Sequence, residues 1–314
     1  RAGTITVCAS GCDHATLASA LGVAVDGDVI EVGAGSYAGG VIVTKAVTIH
    51  GAGRDATTLT GGKSATIALQ NGAGRSTLRS LTISGGIGVD IDRRRYGGGV
   101  YVKAKTATLE DVRITANGTE RSDVATYDGG GLYIDAGDVT AIDVEVTANK
   151  ASNAGGGVVV NLDGTLNMTG GRIADNIAQN PAAVGMDDTN ARGGGMLVDE
   201  KATLQGVEIS GNTSATTGGG VQVAGIGKLT LVNCHVSHNK AQRGGGIYNA
   251  ATVTMDGGSL DANDVTDRGG GLLNYGTATV STVTVAVEQV RLPSVSVEKS
   301  EAQVWTVFAP FWNG

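Results

Sequence analysis

The sequence predicts an all-β solenoid of about ten stacked coils, and three regularities predict it. A glycine triplet followed by apolar residues recurs seven times, starting at Gly97, Gly129, Gly155, Gly193, Gly218, Gly244 and Gly269, with shorter spacings of 25 or 26 residues. An Asn follows each of the first six triplets after 19 to 21 residues, at Asn117, Asn149, Asn176, Asn212, Asn239 and Asn263. Between the two markers the pattern has strand period: in "ATLEDVRITAN", Ala107, Leu109, Val112 and Ile114 alternate with polar residues, and Glu110-Asp111 marks a bend. Units this short cannot each bury a face alone. They must stack, each coil pairing with the next about 4.8 Å further on.

Composition fits that reading and excludes others. Fifty-two glycines against three prolines, with 41% hydrophobic and 17% charged residues, describe short strands joined by tight turns and argue against disorder. A balance of 23 basic to 30 acidic residues, net −7, gives nucleic acid no general attraction. No run approaches the roughly 20 apolar residues that span a bilayer. The chain begins at Arg1 without an initiating Met, which suits a processed protein.

Residues 1–27 read as an N-terminal cap. Cys8 and Cys12, in "CASGC", can close a small disulfide loop if the protein is secreted, whereas a metal site would need more ligands than the stretch offers. Residues 28–287 are the solenoid, with "VIEV", "VIV", "VTIHG" and "TIAL" supplying two or three coils before the first triplet. Each unit reads as glycines, a short strand, a turn, two short strands with a bend, and the Asn.

Aligning the units gives columns along the solenoid axis. The Asn column forms a side-chain ladder in one turn, bonding to its neighbours and to turn backbone. Ile114, Val146, Ile173, Ile209, Val236 and Leu260 point inward. Cys234 falls in the inward column of Val112, Val144 and Val207, where a thiol acts as a small hydrophobe rather than a nucleophile. Arg113, Glu145, Arg172, Glu208, His235 and Ser259 point outward with alternating sign, so His235 reads as a ladder member rather than a base.

The strand after each glycine turn differs. Its middle residues are Tyr101, Tyr133, Val159, Leu197, Gln222, Tyr248 and Leu273, an outward stripe that is largely apolar. Something must cover it, and Tyr101, Tyr133, Leu197 and Tyr248 are the expected binding stripe. Three insertions, near residues 87–96, 118–128 and 177–192, emerge from one turn beside this stripe and carry Asp92, Arg94, Arg95, Glu120, Arg121 and Asp123 among their charges.

Residues 288–314 break the repeat. This tail holds both tryptophans and both phenylalanines, Trp305, Phe308, Phe311 and Trp312. It folds over the last coil as a cap, runs back along the apolar stripe, or docks on another copy or another surface protein.

With these residues in view, the chain resembles the right-handed parallel β-helix proteins of the pectin-lyase-like superfamily. The run "ITVCASGCDHATLASALGVAVDGDVIEVGAGSYAGGVIVTKAVTIHGAG" is similar to the start of secreted members, which implies a short capping helix near Ala15 to Val25. The "GGG[IVLM]" and "xxN" repeats resemble extracellular polymorphic outer-membrane-type repeat proteins. The resemblance implies an extracellular or cell-surface location and a fold that hosts lyases, hydrolases, esterases and adhesins alike. The family's "GHG", "NTD", "RIK", "WiDH" and "DFIFG" motifs are missing. The first expectation is therefore a non-catalytic structural or adhesive role, attaching or self-assembling through stripe and tail, with no cofactor and no metal. The alternative is a carbohydrate-active lyase or hydrolase acting on polysaccharide, with Ca²⁺ at Asp187 and Asp188 and Arg94 or Arg192 as base.

Overall fold

The structure, a computed structural model, describes residues 2–70, 74–118, 127–179 and 191–285. Strands stack in parallel in one continuous sheet system from Thr4–Val7 to Thr284–Val285. Register holds residue for residue from coil to coil: Met196 pairs with Val221, Val221 with Ile247, and Ile247 with Leu272. The architecture is a parallel β-helix.

One coil shows how the sequence sets the cross-section. Met196–Val198 follows a glycine triplet; Lys201–Gln205, Glu208–Ser210 and Thr213–Ser214 complete the circuit. The fourth segment was not expected. In successive coils it is Lys150–Ala151, Ile177–Ala178, Thr213–Ser214, Lys240–Arg243 and Asp264–Arg268, forming its own sheet. Three of the five are only two residues long and carry no alternation for a sequence reading to detect.

Inward columns fill the core with Val, Ile, Leu and Ala, and Cys234 lies fully buried among them. Burial raises its thiol pKa, partly offset by backbone hydrogen bonds, which keeps it protonated and inert.

The glycine triplet follows from stacking. Gly129 adopts φ 66°, and a Cβ on Gly130 would strike the carbonyls of Gly156 and Lys150. A Cβ on Gly131 would lie 2.7 Å from the Gly157 carbonyl and 2.8 Å from the Asn149 amide nitrogen.

That amide belongs to a buried ladder. Nδ2 donates to the next Oδ1 from Asn117 to Asn149 (3.0 Å), Asn149 to Asn176 (3.0 Å), Asn176 to Asn212 (3.0 Å), Asn212 to Asn239 (2.9 Å) and Asn239 to Asn263 (3.0 Å). Each Nδ2 also donates to a carbonyl of the preceding coil, as Asn176 does to Val146 at 2.8 Å. Each Oδ1 accepts the backbone N–H of the preceding ladder residue as well, Gly86 taking that place ahead of Asn117. The ladder thereby holds the left-handed bend before it, where Ala116, Ala148, Asp175, His238 and Ala262 take φ of 50–57°.

On the outside, Arg113 pairs with Glu145 at 2.8 Å and Arg172 with Glu145 at 3.5 Å, while His235 Nδ1 meets Ser259 Oγ at 3.0 Å. Arg54 joins this network at Asp111 (2.6 Å) and Glu145 (3.2 Å). Burial pushes the Glu145 carboxyl up, but the Arg113 hydrogen bond and the surrounding guanidinium charges outweigh it and leave its pKa below the usual value.

At the N-terminus Cys8 and Cys12 are joined by a disulfide. The helix spans Leu17–Val23, shorter than Ala15 to Val25, with Thr16 accepting the Ser19 N–H as N-cap and Leu17 and Ala20 buried. Lys45 reaches its last carbonyls, at Leu21, Gly22 and Ala24. The tail that carries Trp305, Phe308, Phe311 and Trp312 lies outside the described residues.

Candidate functional site

The strand after the glycine turns places Ile42, Ala68, Tyr101, Tyr133, Val159, Leu197, Gln222, Tyr248 and Leu273 in one outward register. Something was expected to cover this stripe, and at its centre the cover is the chain itself. Tyr101, Tyr133 and Leu197 are only 2%, 4% and 3% exposed. The chain covers them itself, forming a second apolar core with Ala65, Ala68, Ala154 and Val159 against which Val89 and Tyr96 pack.

The covering element was read as a charged loop and is a hairpin. Val89–Ile91 and Arg94–Tyr96 pair antiparallel across Asp92 and Arg93, whose φ values of 52° and 64° give a tight turn. Asp90 accepts the Arg93 N–H at 3.2 Å. Arg95 donates to the Lys63 carbonyl at 3.4 Å, whereas Arg94 stays exposed. Tyr96 then lies 4.9 Å from Tyr133, ring to ring and tilted by 58°, and Tyr101 stacks on Tyr133 at 6.0 Å. Tyr127–Asp128 from the next insertion pairs alongside.

Beside this aromatic layer runs a polar row that sequence reasoning missed. Lys103, Asp135, Asn161 and Asp199 each follow the apolar triplet, after the register-matched Val102, Ile134, Val160 and Val198; the strands bulge just there, so that Lys103 pairs with Ala136 and Ala136 with Asp163. The Tyr101 hydroxyl donates to Asp135 at 2.7 Å, and Lys103 Nζ reaches the same carboxylate at 3.1 Å. Asn161 donates to the Tyr133 hydroxyl at 2.8 Å. Later coils carry Ala224, Ala250 and Tyr275 at this position. Polar residues occupy it from Lys103 to Asp199, and Thr44 and Gln70 stand there in the two preceding coils, a signal present in the columns of the sequence.

Electrostatics set the row apart. Burial raises the Tyr101 phenol, and its hydrogen bond to the Asp135 anion raises it further, so it stays a neutral donor. Tyr133 is raised by burial, against the opposing Asn161 bond. Burial also lifts the Asp199 carboxyl above its ordinary value, with the Arg192 charge pulling the other way. Asp128 is raised by burial despite hydrogen bonds from Asn153 (2.6 Å) and the Ala154 N–H (3.1 Å) and the charges of Arg192 and Arg94.

Of the other residues named from sequence, Arg192 sits at the edge of this layer, exposed and directly before Gly193. Tyr248 is half-buried, 5.6 Å from Tyr275. Asp187, Asp188, Glu120, Arg121 and Asp123 lie outside the described residues. Among the described residues no three His, Cys, Asp or Glu side chains converge as a metal cage, and no helix is long and apolar enough to cross a membrane.

Comparison with known proteins places the fold. The family described as a right handed beta helix region matches residues 98–287. The chain belongs to the right handed beta helix family. This β-helix is similar to the pectin methylesterase from carrot, at 15% identity and TM-score 0.59 over 90% of this chain and 88% of that one. It is also similar to pectate lyase Pel9A, at 14% identity and TM-score 0.60 over 92% and 78%. A third is the alginate lyase from Paenibacillus sp. str. FPU-7, at 15% identity and TM-score 0.54 over 87% and 99%. At these identities the likeness is one of fold. No curated protein matches the sequence.

Proposed function

We propose that this β-helix acts outside the cell on an acidic polysaccharide, cleaving a polyuronate by β-elimination. The observation that carries the reading is the row Lys103, Asp135, Asn161 and Asp199, lying beside the tyrosine layer where the insertions emerge. Elimination breaks the C4–O4 bond as the C5 proton leaves, forming a C4=C5 double bond while the departing oxygen gains a proton. Its barrier falls when positive charge neutralises the substrate carboxylate. Arg192, in the coil of Asp199, supplies that charge at the reacting sugar, and Lys103, three coils away at about 14 Å by the strand spacing, meets the carboxylate of another sugar along the chain. Asp199, held above the ordinary carboxyl range, is the proton-exchanging group. Tyr101 and Asp135 fix Lys103 and are positioning residues.

Three similar folds are a pectin methylesterase, a pectate lyase and an alginate lyase, which favours a polyuronate over other glycans. The Cys8–Cys12 disulfide suits an oxidising, extracellular setting. The adhesive reading is weakened, because the chain's own hairpin occupies the centre of the stripe meant for a partner. A calcium ion, proposed with Asp187 and Asp188, has no further ligand set among the described residues, so no step is assigned to it.

The test is incubation with polygalacturonate and with alginate while following the ultraviolet absorbance of unsaturated ends. Product that falls at least tenfold in Asp199→Asn and Lys103→Ala supports the reading. New reducing ends without unsaturated product would move the chemistry to hydrolysis, and no product with either polymer would overturn it.

A further inference from the structure

At the far end of the polar row lies a second cluster. Tyr275 follows the triplet as Lys103, Asp135, Asn161 and Asp199 do in earlier coils, and the residue is 54% exposed. Tyr248, from the stripe, tilts against it at 5.6 Å with an interplanar angle of 43°. Arg243 and Arg268 pair in register directly before the glycine triplets of the same two coils. Among the described residues both pair with the same carboxylate, Asp267, at 4.0 Å from Arg243 and 3.3 Å from Arg268, two guanidinium groups against one acid. Both pairs are solvent-exposed and weak enough to exchange for a ligand carboxylate. Between Asp199 and Tyr275 the row holds only Ala224 and Ala250, whose methyl groups leave the face low.

We infer that Tyr248, Tyr275, Arg243 and Arg268 form a distal subsite for an anionic sugar, reached by a chain lying along the solenoid axis over Ala224 and Ala250. The inference rests on the polyuronate reading of the row. Aromatic faces pack on the apolar faces of sugar rings, and a guanidinium grips a carboxylate bidentately, so the pairing selects a uronate over a neutral hexose. From the coil of Asp135 to that of Tyr275 there are five coil steps, about 24 Å at the strand spacing. No mono- or disaccharide covers that span. The subsite therefore makes affinity rise with chain length.

Calorimetric titration of the intact protein with oligogalacturonates and oligoalginates, from disaccharide to decasaccharide, reads this directly. Wild-type affinity is expected to climb with length. Tyr275→Ala and Arg243→Gln are each expected to weaken decasaccharide binding about tenfold and flatten the climb, the loss of one aromatic or Arg anchor. Thr140→Ala, on another face, serves as the control and keeps the wild-type curve. If wild type binds long chains and both variants follow its curve, the distal subsite is wrong while the polyuronate reading stands. If wild type binds no oligouronate, that reading fails and the subsite with it. Equal binding of a neutral oligoglucan would overturn the assignment to anionic sugars.

Discussion

The Tyr101 hydroxyl donates to the Asp135 carboxylate at 2.7 Å across 34 residues of sequence, and Lys103 binds the same carboxylate from the exposed side. One neutral donor and one cation thus hold a single anion at the border between a buried aromatic layer and solvent. Tyr101→Phe keeps the ring stacked on Tyr133 and removes only the donor. It should cost about 1–3 kcal/mol in chemical denaturation, as loss of a buried bond to a charged group does. Polyuronate turnover should fall with it, because Asp135 no longer holds Lys103 in one place. Full activity in Tyr101→Phe would show that this positioning is dispensable.

The ladder offers a sharper stability test. Asn176→Ala removes the acceptor for the Asn149 backbone N–H and amide, and strips a donor from Val146 O and Asn212 Oδ1. Several groups then stay buried without partners, which should cost on the order of 3 kcal/mol or more. Asn167→Ala, exposed on another sheet face, should stay within about 0.5 kcal/mol. Comparable denaturation midpoints for the two would remove the ladder from the account of stability.

Stacked glycines make a third comparison. Gly130→Ala forces a methyl group against the Gly156 and Lys150 carbonyls, where backbone on both sides cannot yield, whereas Gly62→Ala meets nothing within 4 Å. The first should fail to fold or lose several kcal/mol, and the second should be nearly neutral. Soluble yield and thermal midpoint measure both.

The N-terminal cap should be acid-labile. Asp28 accepts the backbone N–H groups of Val25 (2.8 Å) and Gly3 (2.7 Å), in that order of influence, and they lower its pKa. A carboxyl depressed in the folded state contributes stability above its unfolded pKa and loses it as pH falls through the folded value. Hydrogen-exchange protection over residues 2–28, corrected for the intrinsic pH dependence of amide exchange, should therefore fall below about pH 4 before the central coils respond. In Asp28→Asn the exchange should be fast already at neutral pH. Uniform protection through the acid range would contradict this.

How much was legible follows from what a column can report. In a solenoid, one position recurs in nearly the same surroundings, so Asn117 to Asn263, the inward valines and isoleucines, and the alternating Arg113, Glu145 and Arg172 could all be read from spacing. The row of Lys103, Asp135, Asn161 and Asp199 recurs just after the triplet and is equally legible from spacing, whereas the bonds that tie it to Tyr101 and Tyr133 are not. Two-residue strands such as Ile177–Ala178 fell below what alternation can show.

By itself the sequence determined the coil period, the stacking and the composition of the core, because nearest-neighbour contacts between coils repeat the pattern of the chain. Only the tertiary structure decided which outward face is covered. Tyr101 and Tyr133 point away from the core in both readings, yet Tyr96 returns over them on a hairpin that has no counterpart in other coils among the described residues. Such a contact is set by the path of one insertion, and periodicity carries no information about a segment that occurs once.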